Sequence, residues 1–274
     1  MFPMIAPYLA AAIQLDSGTE KIANLAQAED LIVQAATEGA KLVVLPELFP
    51  YLGNLVNLKQ HAEAMDGPVF TKMRALASEH QLVLCAGSVA VASTEEPNKV
   101  LNRSVIFGPS GQVLSSYDKI HCFDINLAEV KTIESNYVKA GSQLAEASTP
   151  LGHVGQAICY DLRFPEVFRR LTENGMQICL LPAAFTDKTG QAHWEVLLRA
   201  RAIENQVYVI AANQCGMYGD SIRCHGNSMI VDPWGTILAR GAHETPGIIF
   251  AEIDLAKQRQ LRKELPALKH RRMA

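Results

Sequence analysis

Three reactive side chains stand where an apolar run opens onto polar sequence. Glu47 ends Leu42-Val43-Val44-Leu45-Pro46, and Lys119 follows the strand-like Val113-Leu114-Ser115-Ser116-Tyr117. Cys159 ends Gly155-Gln156-Ala157-Ile158, ahead of the turn-prone Tyr160-Asp161-Leu162-Arg163-Phe164-Pro165-Glu166. A free thiol with a pKa of about 8.5 is only a few per cent thiolate at neutral pH, so a cysteine nucleophile needs a base. A nearby glutamate can take that proton, return it to a departing amine and then activate water. The cycle twice puts negative charge on the former carbonyl oxygen, where a lysine ammonium and the backbone N–H after the cysteine would stabilise it. Glu47, Lys119 and Cys159 thus hold the parts of a thiol acyl-transfer site without a histidine. Singly, they also fit a strand-closing surface carboxylate, a solvated loop charge and a core thiol, and spacing alone does not bring them together.

The elements that must position them alternate between strand-length apolar runs and amphipathic helical stretches. Strands are expected at Tyr8–Gln14, Lys41–Leu45 and Leu82–Val91, with helices at Glu20–Glu38 and Pro68–His80. Val100–Phe107 and Gln112–Tyr117 flank Gly108-Pro109-Ser110-Gly111, a turn composition that predicts an antiparallel hairpin. Further on, strands are expected at His153–Ile158, Met176–Leu181 (ended by Pro182) and Val207–Asn213, with helices at Pro165–Asn174 and Ala192–Asn205. Met229–Val231 and Thr236–Ala239 flank the turn Asp232-Pro233-Trp234-Gly235, and Gly247–Ile253 reads as the last core strand. The pattern predicts one α/β domain over residues 1–274, with mixed strand directions and helices covering the outer sheet faces.

Composition narrows the function. At 274 residues with 49% apolar and 19% charged side chains, the chain can bury a large core and should be globular and soluble. Its net charge of -3, with both signs mixed along the chain, gives no footprint for nucleic acid or an anionic membrane. The basic Arg262-Lys263 and Lys269-His270-Arg271-Arg272 read as a solvated tail. Met1–Ala12 is apolar without a positive start, which predicts a first strand rather than a signal peptide, and no run approaches the length of a membrane span. Six cysteines without a CxxC pair point to a reducing, cytoplasmic setting. With no HExxH, no close Cys/His quartet and no glycine-rich nucleotide fingerprint, neither a metal nor another cofactor is expected.

Leu45-Pro46-Glu47-Leu48-Phe49, Tyr117-Asp118-Lys119-Ile120-His121 and Ile158-Cys159-Tyr160-Asp161-Leu162-Arg163-Phe164-Pro165-Glu166 resemble the three signature segments of the nitrilase, or carbon-nitrogen hydrolase, superfamily. Order and separation match, and the resemblance continues through Leu181–Thr186, Thr189–Glu195, Leu198–Asn205 and His225–Gly235. It implies an α-β-β-α sandwich with mixed sheets, usually a homodimer in which sheets stack across the partner. It implies the triad Glu47, Lys119 and Cys159, with Glu134 as the second glutamate bracing the lysine and the Tyr160 N–H facing the oxyanion.

True nitrilases carry Cys-Trp-Glu at the nucleophile, whereas Cys159-Tyr160-Asp161 resembles the amidase branch. Within it, the similarity is closest to nitrilase-like proteins that hydrolyse deaminated glutathione and next to omega-amidases, which release ammonia from 2-oxoglutaramate or 2-oxosuccinamate. Leu181-Pro182-Ala183-Ala184-Phe185-Thr186 leans to the former. Such small amide substrates carry a carboxylate, for which Arg163 is the first candidate; its structural alternative is to pair with Glu166 or Asp161. Phe185, Thr189 and Tyr51 are candidate pocket liners, while His193 and Trp194 read as structural. A catalytically silent member that binds partners, and a redox or metal protein, stand as readings from other classes.

Overall fold

The computed structural model describes residues 5–126, 131–218 and 222–272. In chain order the elements begin with β1 (Tyr8–Gln14), α1 (Lys21–Thr37), β2 (Leu42–Val44), α2 (Pro68–Glu79), β3 (Val83–Cys85), β4 (Val89–Ala92), β5 (Val100–Phe107) and β6 (Val113–Asp118). They continue with β7 (Asp124–Asn126), β8 (Lys131–Ile133), β9 (Glu146–Thr149), β10 (Gly152–Gln156), α3 (Pro165–Glu173), β11 (Ile178–Ala183), α4 (Asp187–Asn205) and β12 (Tyr208–Asn213). The last are β13 (Met217–Tyr218), β14 (Ile222–Arg223), β15 (Met229–Val231), β16 (Ile237–Arg240), β17 (Gly247–Ile253) and α5 (Leu255–Glu264). A seven-stranded sheet runs β17-β1-β2-β3-β5-β4 with β6 paired to β5, and a six-stranded sheet runs β16-β15-β12-β11-β10-β9. Their centres, β1-β2-β3 and β10-β11-β12, are parallel, and the flanks are antiparallel.

Alternation along the central strands explains the layers. Ala10, Ala12, Leu42 and Val44 of the first sheet meet Val154, Ile178, Leu180 and Ile210 of the second in one apolar interior. Their neighbours Ala11, Ile13 and Val43 point the other way, against Ala28 and Ile32 of α1 and Phe70 and Met73 of α2. Cys179, Leu181 and Val209 likewise meet Phe168 of α3 and Trp194 and Leu198 of α4. Strands buried on both faces read as unbroken apolar runs, and the result is an α-β-β-α sandwich. Truncating Phe70 or Phe168, both fully buried, should cost about 3–5 kcal/mol by leaving a cavity.

Five features depart from the sequence reading. The expected strand Leu82–Val91 is broken into β3 and β4 at Gly87, which adopts φ +54 and whose added Cβ would lie 2.1 Å from the Pro46 carbonyl oxygen. Pro182 lies inside β11 rather than ending it. Ala157 N–H donates to Leu180 O, so Pro182, two residues on, faces the same flank beyond the end of β10 pairing and leaves no ladder donor missing. The helix expected from Ala192 begins at Asp187, because Gly190 is accommodated where a Cβ would meet the His225 ring at 2.3 Å. Arg262, expected in a solvated tail, lies in α5, capped by Asp254, and donates to the carbonyls of Met176, Asn205 and Gln206. The short strand β9 and the ribbons β7-β8 and β13-β14 have too few residues to show a period. Of the apolar N-terminal segment, residues 1–4 lie outside the described residues. No helix among the described residues is long and apolar enough to cross a membrane.

Candidate active site

Glu47 sits in the turn that follows β2, at the end of the sandwich where the parallel strands deliver their C-termini. The turn is pinned from several sides: Leu48, at φ +49, donates its N–H to Ser88 Oγ at 2.9 Å, and Gln214 Nε2 donates to Glu47 O at 3.0 Å. The carboxylate, 3% exposed, is held by Asn102 Nδ2 at 2.8 Å on Oε1 and by the Ala184 N–H at 2.9 Å on Oε2. Neither Asn102 nor Ala184 was expected at the site. An asparagine within the apolar strand Val100–Phe107 was a usable signal, since strands rarely bury an amide without a polar partner.

Lys119 follows β6, and Gly141 lets a second segment approach it, accepting no Cβ because one would lie 2.1 Å from Asp118 O. Its Nζ, fully enclosed, lies 2.9 Å from Glu47 Oε1 and 3.1 and 2.9 Å from the two oxygens of Glu134. Glu134 begins the short 3-10 turn after β8 and also accepts from the Phe123 N–H at 2.5 Å. One ammonium is therefore shared by two buried carboxylates. Burial alone would pull the Lys119 pKa down, but Glu134 and Glu47 outweigh it and hold the ammonium well above its ordinary range. Burial pushes the Glu134 carboxyl up, and Lys119 opposes this.

Cys159 stands at φ +46, an uncommon conformation for a non-glycine residue, at the head of the 3-10 turn Cys159–Arg163. Buried Asp161 fastens this elbow: its Oδ2 accepts from the Ile158 N–H at 2.9 Å and from Tyr117 Oη at 2.7 Å, and its Oδ1 from the His121 N–H at 3.1 Å. The N–H of Tyr160 lies in the first turn of this segment, where leading N–H groups have no partner within the helix. Burial first, and then the Glu47 charge, push the Cys159 thiol well above its usual range, with Lys119 opposing. The resting side chain is a neutral thiol. The same holds for other thiols, such as Cys85 and Cys122, which burial raises to about 11. What sets Cys159 apart is a carboxylate beside it and a cavity in front of it.

Glu47, Lys119, Glu134 and Cys159 line one chamber of about 40 Å³, closed by Leu48, Leu55, Phe123, Thr132, Ala184, Thr186 and Ile222. A side pocket on the cysteine side is lined by Tyr160, Phe185, Thr186 and Thr189, with the Thr189 hydroxyl 2.9 Å from that of Thr186. Arg163 pairs with neither Glu166 nor Asp161, the latter being saturated by Tyr117, His121 and Ile158. Its guanidinium instead lies over the rings of Phe185 (5.0 Å) and Tyr160 (5.7 Å), reaches His193 Nδ1 at 3.1 Å, and makes no ion pair among the described residues. Phe185 packs on buried Trp194, whose Nε1 donates to Asn227 O. Tyr51 lies outside the chamber, stacked on His61 with ring centroids 3.7 Å apart, and lines a larger groove.

The pattern of the family described as Carbon-nitrogen hydrolase matches residues 9–263. The chain belongs to that family. A Synechocystis sp. protein named deaminated glutathione amidase is 42% identical over 268 residues, 97% of this chain and 98% of that protein. A Mus musculus protein of the same name is 41% identical, over 96% of this chain and 83% of that protein. The crystal structure of the C. elegans NitFhit protein superposes with a TM-score of 0.92 at 36% identity, over 98% of this chain; this chain spans 66% of that longer one. As a carbon-nitrogen hydrolase with amidase relatives, the protein is a hydrolase of amide bonds.

Proposed function

We propose that this hydrolase cleaves the side-chain amide of deaminated glutathione to 2-oxoglutarate and cysteinylglycine, through a thioester on Cys159. The observation that carries the reading is the convergence of Glu47, Lys119 and Cys159 on one chamber; the names of the full-length relatives support the substrate. Sulfur attacks the amide carbon as Glu47 takes the thiol proton, and the new oxyanion meets the Lys119 ammonium and the Tyr160 N–H. Glu47 then donates its proton to the leaving nitrogen, and cysteinylglycine departs. Water, losing a proton to Glu47, attacks the thioester; the C–S bond breaks, 2-oxoglutarate leaves and Glu47 returns the proton to sulfur. Glu134 acts as a positioning residue that keeps Lys119 charged and in place. Arg163, without an ion pair among the described residues and placed over Phe185 and Tyr160, takes the 2-oxo acid carboxylate, and Thr189 shapes that side of the pocket.

The full chain 1–274 works as one domain, in a reducing cytoplasmic setting that its six free thiols support. It is a homodimer; the outer face where Ile203 packs near Gly235 beside exposed Trp234 supports this. The test compares kcat/KM on deaminated glutathione, 2-oxoglutaramate, a simple nitrile and an N-carbamoyl amino acid, with Cys159→Ala alongside. Deaminated glutathione should be preferred and Cys159→Ala should be folded but inactive. Preference for 2-oxoglutaramate would make the protein an omega-amidase, and turnover by Cys159→Ala would overturn the covalent route.

A further inference from the structure

The chamber around Cys159 is far smaller than a peptide substrate. Its roughly 40 Å³ of free space holds about three waters, enough for an amide group and little else. It has a neighbour, because Leu55, Thr132 and Ile222 line it on one side and on the other line an open groove of about 940 Å³. Groove and chamber thus lie side by side, three side chains apart.

The groove has its own chemistry. Tyr51, Asn57, Lys131, Asn136 and Tyr137 all face it, and none of their side-chain polar atoms has a hydrogen-bond partner among the described residues. Tyr51 is the telling member, since it is 5% exposed and yet its hydroxyl is unpaired. Gly53 makes room for that hydroxyl, which would lie 2.5 Å from an added Cβ. The ring is buried while the hydroxyl stays accessible at the groove, where solvent or a ligand can bond it. Lys131 makes no ion pair among the described residues and is the cation among these five side chains. The groove opens from the segment that follows Glu47, whereas Tyr160 and Phe185, with Arg163 over their rings, stand on the cysteine side. In the proposed reaction Glu47 donates the proton to the leaving nitrogen, and the segment that follows it, Tyr51–Leu55, lines the groove.

Building on the proposed amidase reaction, we propose that this groove is a leaving-group subsite for peptide-like amines that end in a carboxylate, with Lys131 pairing that carboxylate and Tyr51, Asn57 and Asn136 bonding the peptide unit. The enzyme is then selective for secondary amides of short peptides over primary amides that release only ammonia.

The test uses one acyl group, 2-oxoglutaryl, on three amines: cysteinylglycine, cysteinylglycinamide and ammonia. The wild type should prefer the free carboxylate over the glycinamide by about fivefold in kcat/KM, as expected for one partly exposed ion pair. In Lys131→Ala that preference should vanish, and Lys131→Glu should invert it. The effect should appear in KM, with the rate ratio to 2-oxoglutaramate falling in parallel. An equal loss on 2-oxoglutaramate would overturn the inference by placing Lys131 on the acyl side. Equal wild-type rates on acid and glycinamide would also overturn it. Turnover of 2-oxoglutaramate without turnover of either peptide amide would sink the groove's role while sparing the amidase reading, and inactivity on all three would remove both.

Discussion

Replacing Lys119 with methionine keeps the length of the side chain and removes its charge, which separates two jobs that the ammonium performs. Glu47 Oε1 and Glu134 Oε2 each lie 2.9 Å from Nζ. They are therefore at most about 5.8 Å apart, and at an effective dielectric of about 20 two carboxylates at that distance repel by roughly 3 kcal/mol. Divided by about 1.36 kcal/mol per unit, this raises one apparent pKa of the pair by about two units. Without the cation, this repulsion favours keeping one proton on the pair. Loss of the cation facing the oxyanion should lower kcat by a further 10²–10³-fold, roughly. The assay is a pH–rate profile of kcat/KM for wild type, Lys119→Met and Lys119→Met/Glu134→Gln. The single variant should show its acidic limb moved upward, because no cation now favours the carboxylates, and the double variant, which removes the repulsion, should move it back down by about two units while leaving kcat depressed. Superimposable acidic limbs in single and double variants, or a defect confined to KM, would refute the shared-ammonium reasoning.

A raised Cys159 pKa means that the free enzyme carries a neutral thiol, so kcat/KM should show no rise centred between about pH 7 and 9. A sigmoidal increase in that range would mean that the thiolate forms before substrate binds. Gly87→Ala should destabilise the protein by at least about 2 kcal/mol, or roughly 4–8 °C in Tm, because the residue must hold φ +54 with its Cβ against Pro46 O. It should also depress kcat through the adjoining Glu47, and an unchanged melting curve would show that this contact yields. Burial pushes the Asp187 carboxyl up, but hydrogen bonds from His225, His243 and Gln191 prevail and hold it at about 2. A depressed pKa stabilises the fold above the ordinary value near 3.8, and that gain is lost as pH falls toward 2. The stability gap between wild type and Asp187→Asn in urea titrations should thus be full at about pH 5 and close between about 4 and 2; a gap independent of pH would contradict the pairing.

The long apolar strands were legible because each is buried on both faces, and the hairpin at Gly108–Gly111 because its turn residues admit little else. Residue types also pointed to Glu47, Lys119 and Cys159, since a thiol without a histidine needs a separate base and cation. Other features depend on partners remote in sequence. Gly190 looks like a helix breaker until the His225 ring is seen filling its place, and Pro182 looks like a strand end until β10 is found to stop short of it. Arg163 could not be placed from its neighbours in sequence, because Tyr117, His121 and Ile158 claim Asp161 first. Composition and periodicity determine the burial of elements, which is local physics summed along the chain. The shared ammonium, the Asn102 and Ala184 contacts to Glu47 and the groove beyond the chamber were decided only by tertiary structure, because hydrogen bonds and cavities form between segments whose approach no local pattern encodes.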